Sequence, residues 1–141
     1  MKKQFIIFLL LISGISFPAF GETPALTGTW NIDNTVIKKT KDGILSTQSY
    51  DANQKPDCYA LCPNKLIFSG EEVTLVFRNN AQTKGNYEVQ GDLLIVKTLA
   101  VNLKYKLEMQ GNILHLTGEI NYLISGLNKV KEECHFYGIK E

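Results

Sequence analysis

Cys58, Cys62 and Cys134, together with His115 and His135, are the side chains of this chain best equipped for metal, redox or nucleophilic chemistry. Their spacing matches no structural zinc pattern, so no metal is expected. His135 adjoins Cys134, and neighbours along a strand point to opposite faces. His115 has no partner evident in the sequence. No Ser-His-Asp order is present, nor a glycine-rich phosphate loop, nor a carboxylate pair suited to acid–base work. Glu108 and Glu119 read as solvated side chains. The expectation is a protein that is not an enzyme and needs no cofactor.

The chemistry of the cysteines depends on compartment, and the N-terminus speaks to that. Lys2 and Lys3 precede an apolar run from Phe5 to Ile12, and Ala19-Phe20-Gly21 supplies small residues at the −3 and −1 positions. This is the layout of a secretory signal peptide over residues 1–21, with cleavage before Glu22. The run is shorter than the roughly 20 residues a membrane span requires, and no Cys near the cleavage site offers a lipid anchor. A periplasmic or secreted domain over residues 22–141 is therefore expected, without stable membrane insertion after cleavage.

Outside the cytoplasm a disulfide is expected, and an odd cysteine count leaves one thiol over. Cys58 with Cys62 would close a very small loop of demanding geometry. Cys62 with Cys134 is favoured over Cys58 with Cys134, because Pro63 and the strand after it hold Cys62 in place. That pair would close a loop of about 70 residues, worth about 4 kcal/mol in the chain-entropy model.

The chain has 141 residues, with 15 basic against 14 acidic. Removing Lys2 and Lys3 leaves it near neutrality. Such a balance argues against nucleic acid, which rewards a concentrated positive field, and against electrostatic attachment to anionic lipid. Lys38, Lys39 and Lys41 read as a solvated strand end.

The elements that must position any site are strands. Glu88-Val89-Gln90-Gly91-Asp92-Leu93-Leu94 recurs as Glu108-Met109-Gln110-Gly111-Asn112-Ile113-Leu114. Gly-Asp and Gly-Asn suit two-residue hairpin loops. A loop at Gly111-Asn112 pairs Gln110 with Ile113, Met109 with Leu114, Leu107 with Leu116 and Tyr105 with Gly118. Leu103, Tyr105, Leu107, Met109, Leu114, Leu116 and Ile120 then share one face, and charged or polar residues share the other. Turn chemistry and period-2 patterning choose this register independently. In the first copy Tyr87, Val89, Leu94 and Val96 share a face.

Leu66 to Phe68 and Val73 to Phe77 form another hairpin around a four-residue loop, Ser69 to Glu72. Thr29 to Lys38 alternates around Trp30, Ile32 and Val36. Ile44 to Tyr50 is a weaker strand, and Glu132 to Ile139 reads as a closing one. Leu123 to Val130 is expected to be a turn or short helix. The total is eight or nine strands with no amphipathic helix. Meandering hairpins with one apolar face each favour an all-β, small antiparallel up-and-down β-barrel of about eight strands.

Leu26-Thr27-Gly28-Thr29-Trp30 at the first strand, Cys62 before Leu66-Ile67-Phe68, and the hairpins Tyr87 to Leu94 and Tyr105 to Leu116 resemble the lipocalin-like group of the calycin superfamily. The resemblance implies that Trp30 closes one end of the barrel, where the family packs an Arg from a late strand against it. Arg78 is the only Arg and lies mid-chain, so Lys129 or Lys131 is the expected substitute.

The resemblance also implies binding rather than catalysis: a small apolar ligand in the barrel mouth. Phe77, Tyr87, Val96, Tyr105, Leu107, Met109 and Leu116 are its candidate lining. Bulky inward side chains could equally fill the lumen, since an eight-stranded barrel is just wide enough for one small ligand or for its own side chains. The other reading is an inhibitor or immunity-type protein that meets a protein target through the long loop holding Tyr50, Asp51, Asp57 and Tyr59. A monomer is expected.

Overall fold

The computed structural model describes residues 25–54, 56, 62–77, 79–124 and 128–141. The expected signal peptide, Cys58, Asp57, Tyr59 and Arg78 lie outside the described residues.

Nine strands follow one another: β1 (Gly28–Lys41), β2 (Ile44–Asp51), β3 (Lys65–Ser69), β4 (Glu72–Val76), β5 (Gln82–Gln90), β6 (Leu93–Thr98), β7 (Asn102–Gln110), β8 (Ile113–Ile124) and β9 (Asn128–Lys140). Every neighbouring pair is antiparallel, and the meander from β3 to β9 is closed by β1. The long β1 does this by dividing one edge. Gly28 to Asn31 pairs with β3, and Asn34 to Lys41 pairs with β2. Its other edge pairs with β9 from Trp30 to Lys41. The result is a closed eight-stranded barrel with β2 as an extra strand. The fold is compatible with a lipocalin-like barrel.

Turn chemistry sets the registers. Gln110 pairs with Ile113, Met109 with Leu114 and Leu107 with Leu116, around Gly111-Asn112. Gly91 and Gly111 take φ of 62° and 58°, the positive φ that a two-residue hairpin needs at its first central position. Tyr87 pairs with Val96 and Val89 with Leu94, as the repeat requires. At the β1–β2 turn both Asp42 and Gly43 have positive φ, the mirror-image turn whose twist matches its strands.

Three local expectations are corrected. The β3–β4 loop has two residues, because Ser69 pairs with Glu72 and lets Gly70 take the positive φ. The stretch from Leu123 to Val130 is mostly strand: β8 runs to Ile124 and β9 starts at Asn128. In β1 the alternation around Trp30, Ile32 and Val36 breaks at a bulge between Ile32 and Asn34. The extra residue, exposed Asp33, flips the phase, so Thr35 and Ile37 are buried and Val36 is not.

The core fills the lumen. Trp30, Phe68, Leu75, Leu94, Leu114, Leu116 and Phe136 are fully buried there. Burying each such side chain stabilises the fold by about 1.5–3 kcal/mol before chain entropy is charged.

Candidate functional site

One end of the barrel is shut by Trp30. Its indole Nε1 donates to the Leu26 carbonyl at 2.8 Å. Lys140 Nζ sits over the ring, 5.6 Å from its centre, close enough for a cation–π attraction. Lys140 is the cross-strand partner of Trp30 on β9. Gly28 clears its path: φ there is 120°, and a Cβ would stand 3.1 Å from Lys140 Cε. Gly28 two residues ahead of Trp30 thus has a local purpose, vacating the space the lysine crosses. The expected substitutes, Lys129 and Lys131, belong to the opposite end of β9.

Above this plug the lumen is packed. Tyr105 lies across Gly118, where a Cβ would come 3.0 Å from the ring, and meets Phe136 edge to face at 6.1 Å. Phe68 and Tyr87 form a second edge-to-face pair at 4.8 Å. Of the seven residues expected to line a ligand, Val96, Tyr105, Leu107 and Leu116 are buried in this core, and Phe77, Tyr87 and Met109 pack against it. Burial, and then the neighbouring Cys134, push the Tyr105 hydroxyl far above its ordinary pKa. It stays neutral at any physiological pH.

A charged layer follows. Glu132 is fully buried, yet its oxygens meet Lys39 Nζ at 3.6 Å, the Tyr122 hydroxyl at 3.1 Å and Cys134 Sγ at 3.4 Å. The strand pairing sets Lys39 opposite Glu132 on β1 and Ile120 opposite it on β8. A buried carboxylate is tolerated only when so partnered. Burial, followed by the charge of Glu132, pushes the Cys134 thiol up to about 12. Cys134 is a free, buried cysteine, so the expected Cys62–Cys134 disulfide is not formed. Cys134 points into the lumen among core side chains, while Cys62 packs against the core from the loop ahead of β3.

Beyond that layer, at the rim opposite Trp30, lies a pocket of about 550 Å³. β1 and its turn contribute Thr40, Asp42 and Gly43, β8 contributes Asn121, Tyr122 and Leu123, and β9 contributes Lys129, Val130 and Lys131. Lys131 is tied to Glu119 at 2.9 Å. Leu123, with Ile124 beside it, is exposed at this rim, as are Ile44 and Leu45 past the β1–β2 turn. None of the seven expected lining residues borders this pocket. Tyr87 borders a separate, smaller one of about 330 Å³ with Glu71, Asn86, Glu88 and Lys97.

In the expected partner-binding loop, Tyr50 is half-buried and donates to Gln48 Oε1 at 2.6 Å. Asp51 Oδ1 accepts from the Asn53 amide at 2.8 Å and so shapes the turn that follows β2.

The outer face holds a cluster that sequence spacing did not reveal. His115 Nδ1 meets Glu108 Oε2 at 3.0 Å, His115 Nε2 meets His135 Nδ1 at 3.0 Å, and His135 Nε2 meets Glu133 Oε1 at 2.6 Å. Thr117 Oγ1 lies 3.3 Å from both facing imidazole nitrogens. The signal that could have found it is the register: Thr117 pairs with His135, and Glu108 with His115. His135 does point away from Cys134, as neighbours in a strand must. Comparison of the chain with protein-family models, curated proteins and solved structures returned no match.

Proposed function

We propose that this chain is an exported, lipocalin-like binding protein that holds a small amphipathic molecule at the rim of its barrel. The observation that carries the reading is the pocket of about 550 Å³ between β1, β8 and β9, a size ordinary for small-molecule sites. Leu123 offers the apolar body of a ligand a surface, and Lys129 offers its polar end a charge. The tightly packed lumen below supports a rim site over a deep one. The signal-peptide pattern supports export, and the closed barrel with Trp30 at its end supports kinship with the calycins.

Titration with lauric acid, followed by amide NMR, tests the site. Shifts confined to Thr40, Leu123, Lys129 and Val130 are expected. Shifts centred on Tyr105, Leu107 and Leu116 would place the ligand in the lumen and overturn the rim reading.

A second reading rests on β2. Among the described residues it borders β1 alone in the sheet order, and every residue in it except Tyr50 is exposed. An open edge of this kind is a template for strand addition by a protein partner. A stoichiometric protein that co-purifies with the chain and is lost on Thr47→Pro substitution would favour it.

A further inference from the structure

We propose that the end of the barrel opposite Trp30 docks on the surface of an anionic phospholipid bilayer, through the apolar tips of its turns and the lysines around them. Docking of this kind leaves the barrel folded outside the bilayer and does not require the rim pocket to hold a ligand.

Strand direction places the tips. Every neighbouring pair is antiparallel, so β6 and β8 run the same way as β1. The β1–β2, β6–β7 and β8–β9 connections therefore open at one end, and Trp30, near the start of β1, marks the other. Among the described residues eight large apolar side chains are exposed. Six of them lie beside these three connections: Ile44, Leu45, Leu99, Val101, Leu123 and Ile124. The remaining two, Ile113 and Ile139, are cross-strand partners near the Trp30 end. Apolar residues scattered singly over a surface need no occupant, but a concentration at one end does.

The β6–β7 turn shows how such a tip is built. The other tight hairpins turn at Asp42-Gly43, Gly70-Glu71, Gly91-Asp92 and Gly111-Asn112, residue types that turns favour. This one carries Leu99-Ala100, and Leu99 is wholly exposed. Turn chemistry does not ask for leucine there. Thr98 closes the turn instead. Its Oγ1 accepts from the Ala100 and Val101 amides at 3.3 and 3.0 Å and donates to the Val101 carbonyl at 2.8 Å. Its amide donates to the same carbonyl at 3.0 Å. Backbone groups that are already paired enter a bilayer surface at far lower cost than free ones. The turn thus presents apolar side chains with the amides of Ala100 and Val101 satisfied.

Charge follows the same axis. Lys41, Lys104 and Lys129 are exposed beside the three connections and form no ion pair among the described residues. Lys97 and Lys131, also at this end, are held by Glu88 and Glu119. The opposite end exposes Glu71, Glu72, Asp92 and Glu141, and its Lys140 is committed to Trp30. The near-neutrality of the whole chain conceals this separation. An anionic bilayer attracts the lysine end and repels the acidic one, which sets the orientation. A protein partner fits less well, because protein interfaces favour Tyr, Trp and Arg and are depleted in Lys. Here the exposed tip residues are aliphatic and the cations beside them are lysines. Lysine stems lie along apolar surface while the ammonium stays among headgroups and water. Aliphatic anchors beside lysines are the composition of an interfacial lipid-binding surface.

The test is sedimentation of the protein, purified from exporting cells, with phosphatidylglycerol vesicles and with phosphatidylcholine vesicles. Binding to phosphatidylglycerol is expected, with little to phosphatidylcholine and a loss of binding as salt rises. Lys104→Ala should weaken it about five-fold, the equivalent of about 1 kcal/mol per basic residue near an anionic surface. Leu99→Asp/Val101→Asp should abolish it, and neither residue borders the rim pocket, so this outcome is separate from ligand binding there. A spin-labelled lipid in phosphatidylglycerol bicelles should broaden the amides of Leu45, Leu99, Val101 and Leu123 and spare those of Glu71, Asp92 and Gly111. No binding to phosphatidylglycerol, broadening centred on the Trp30 end, or full binding by Leu99→Asp/Val101→Asp would overturn the proposal, as would a co-purified protein mapped to the same tips in place of lipid. The broadening map is read on the wild type, so a misfolded variant leaves the test intact.

Discussion

The ring of Tyr105 lies across Gly118 on the neighbouring strand, so close that a Cβ at residue 118 would stand 3.0 Å from Tyr105 Cε1. The glycine is what lets a large aromatic span the lumen and reach Phe136. Gly118→Ala should destabilise the fold by about 1–3 kcal/mol, the usual cost of overpacking a filled core. Urea unfolding measures it. Combined with Tyr105→Leu, the alanine should cost less than the sum of the two single changes, because the pair shares one space.

Lys140 over Trp30 makes a second check. Trp30 is the single tryptophan of the chain and is fully buried, so its fluorescence reports on this end of the barrel. Lys140→Ala should cost about 0.5–1 kcal/mol, the range for an exposed cation–π contact. Trp30→Ala should cost about 3–5 kcal/mol. Equal costs for the two substitutions, read from denaturant curves, would show that the lysine and not the packing of the indole closes the barrel.

Much of this architecture is legible from residue order alone. Gly111-Asn112 and the alternation beside it fix the β7–β8 register, and that register delivers Tyr105 to Gly118. Other features are not local. The Asp33 bulge reverses the face of β1 without any turn signal, because it is imposed by pairing to β9. Lys140 reaches Trp30 only once β9 closes on β1, so Lys129 and Lys131 appear equally eligible in the sequence. His115 and His135 meet because β8 and β9 form a long hairpin whose extent the composition of Leu123 to Val130 conceals. The buried Glu132 also alternates correctly with Val130 and Cys134, but a charged residue in a strand reads as outward until its partners are known.

The layer around Glu132 should be sensitive to the loss of one partner. Lys39→Met removes the ammonium that lies 3.6 Å from the buried carboxylate. Removing one member of a buried pair ordinarily costs about 3–5 kcal/mol, and the partial exposure of Lys39 places the expectation at the lower end. Glu132→Gln should cost less, since the amide can still accept from Tyr122. Thermal unfolding of the two variants ranks them, and the reverse order would contradict this account of the layer.

The cysteines give a chemical prediction. With its thiol pushed up to about 12, Cys134 carries almost no thiolate at pH 8 and is buried as well. It should resist alkylation in the native state and react after denaturation. With Cys134 free, the only disulfide open within one chain is Cys58 to Cys62. Peptide mapping under non-reducing conditions should find that pair, and a Cys62–Cys134 peptide would contradict the structure.

Acid should loosen the outer wall. The Lys106 ammonium, then His115, hold the Glu108 carboxyl below its ordinary value, and Lys131 does the same for Glu119. A carboxyl whose folded pKa lies below its unfolded one stabilises the fold above the unfolded value and loses that contribution as pH falls through the folded one. Both groups are exposed, so the effect is modest and screened by salt. NMR titration of the two carboxyls should show midpoints below those of free glutamate, and Lys106→Ala should return Glu108 toward the ordinary value.

Native mass spectrometry of the protein purified gently from exporting cells, beside its Leu123→Asp variant, tests binding at the rim. Leu123 is exposed at the rim, so the substitution alters the pocket and spares the core. About one small amphipathic molecule per wild-type chain is expected, with an empty variant. An empty wild type, or cargo retained by Leu123→Asp, would contradict binding at the rim.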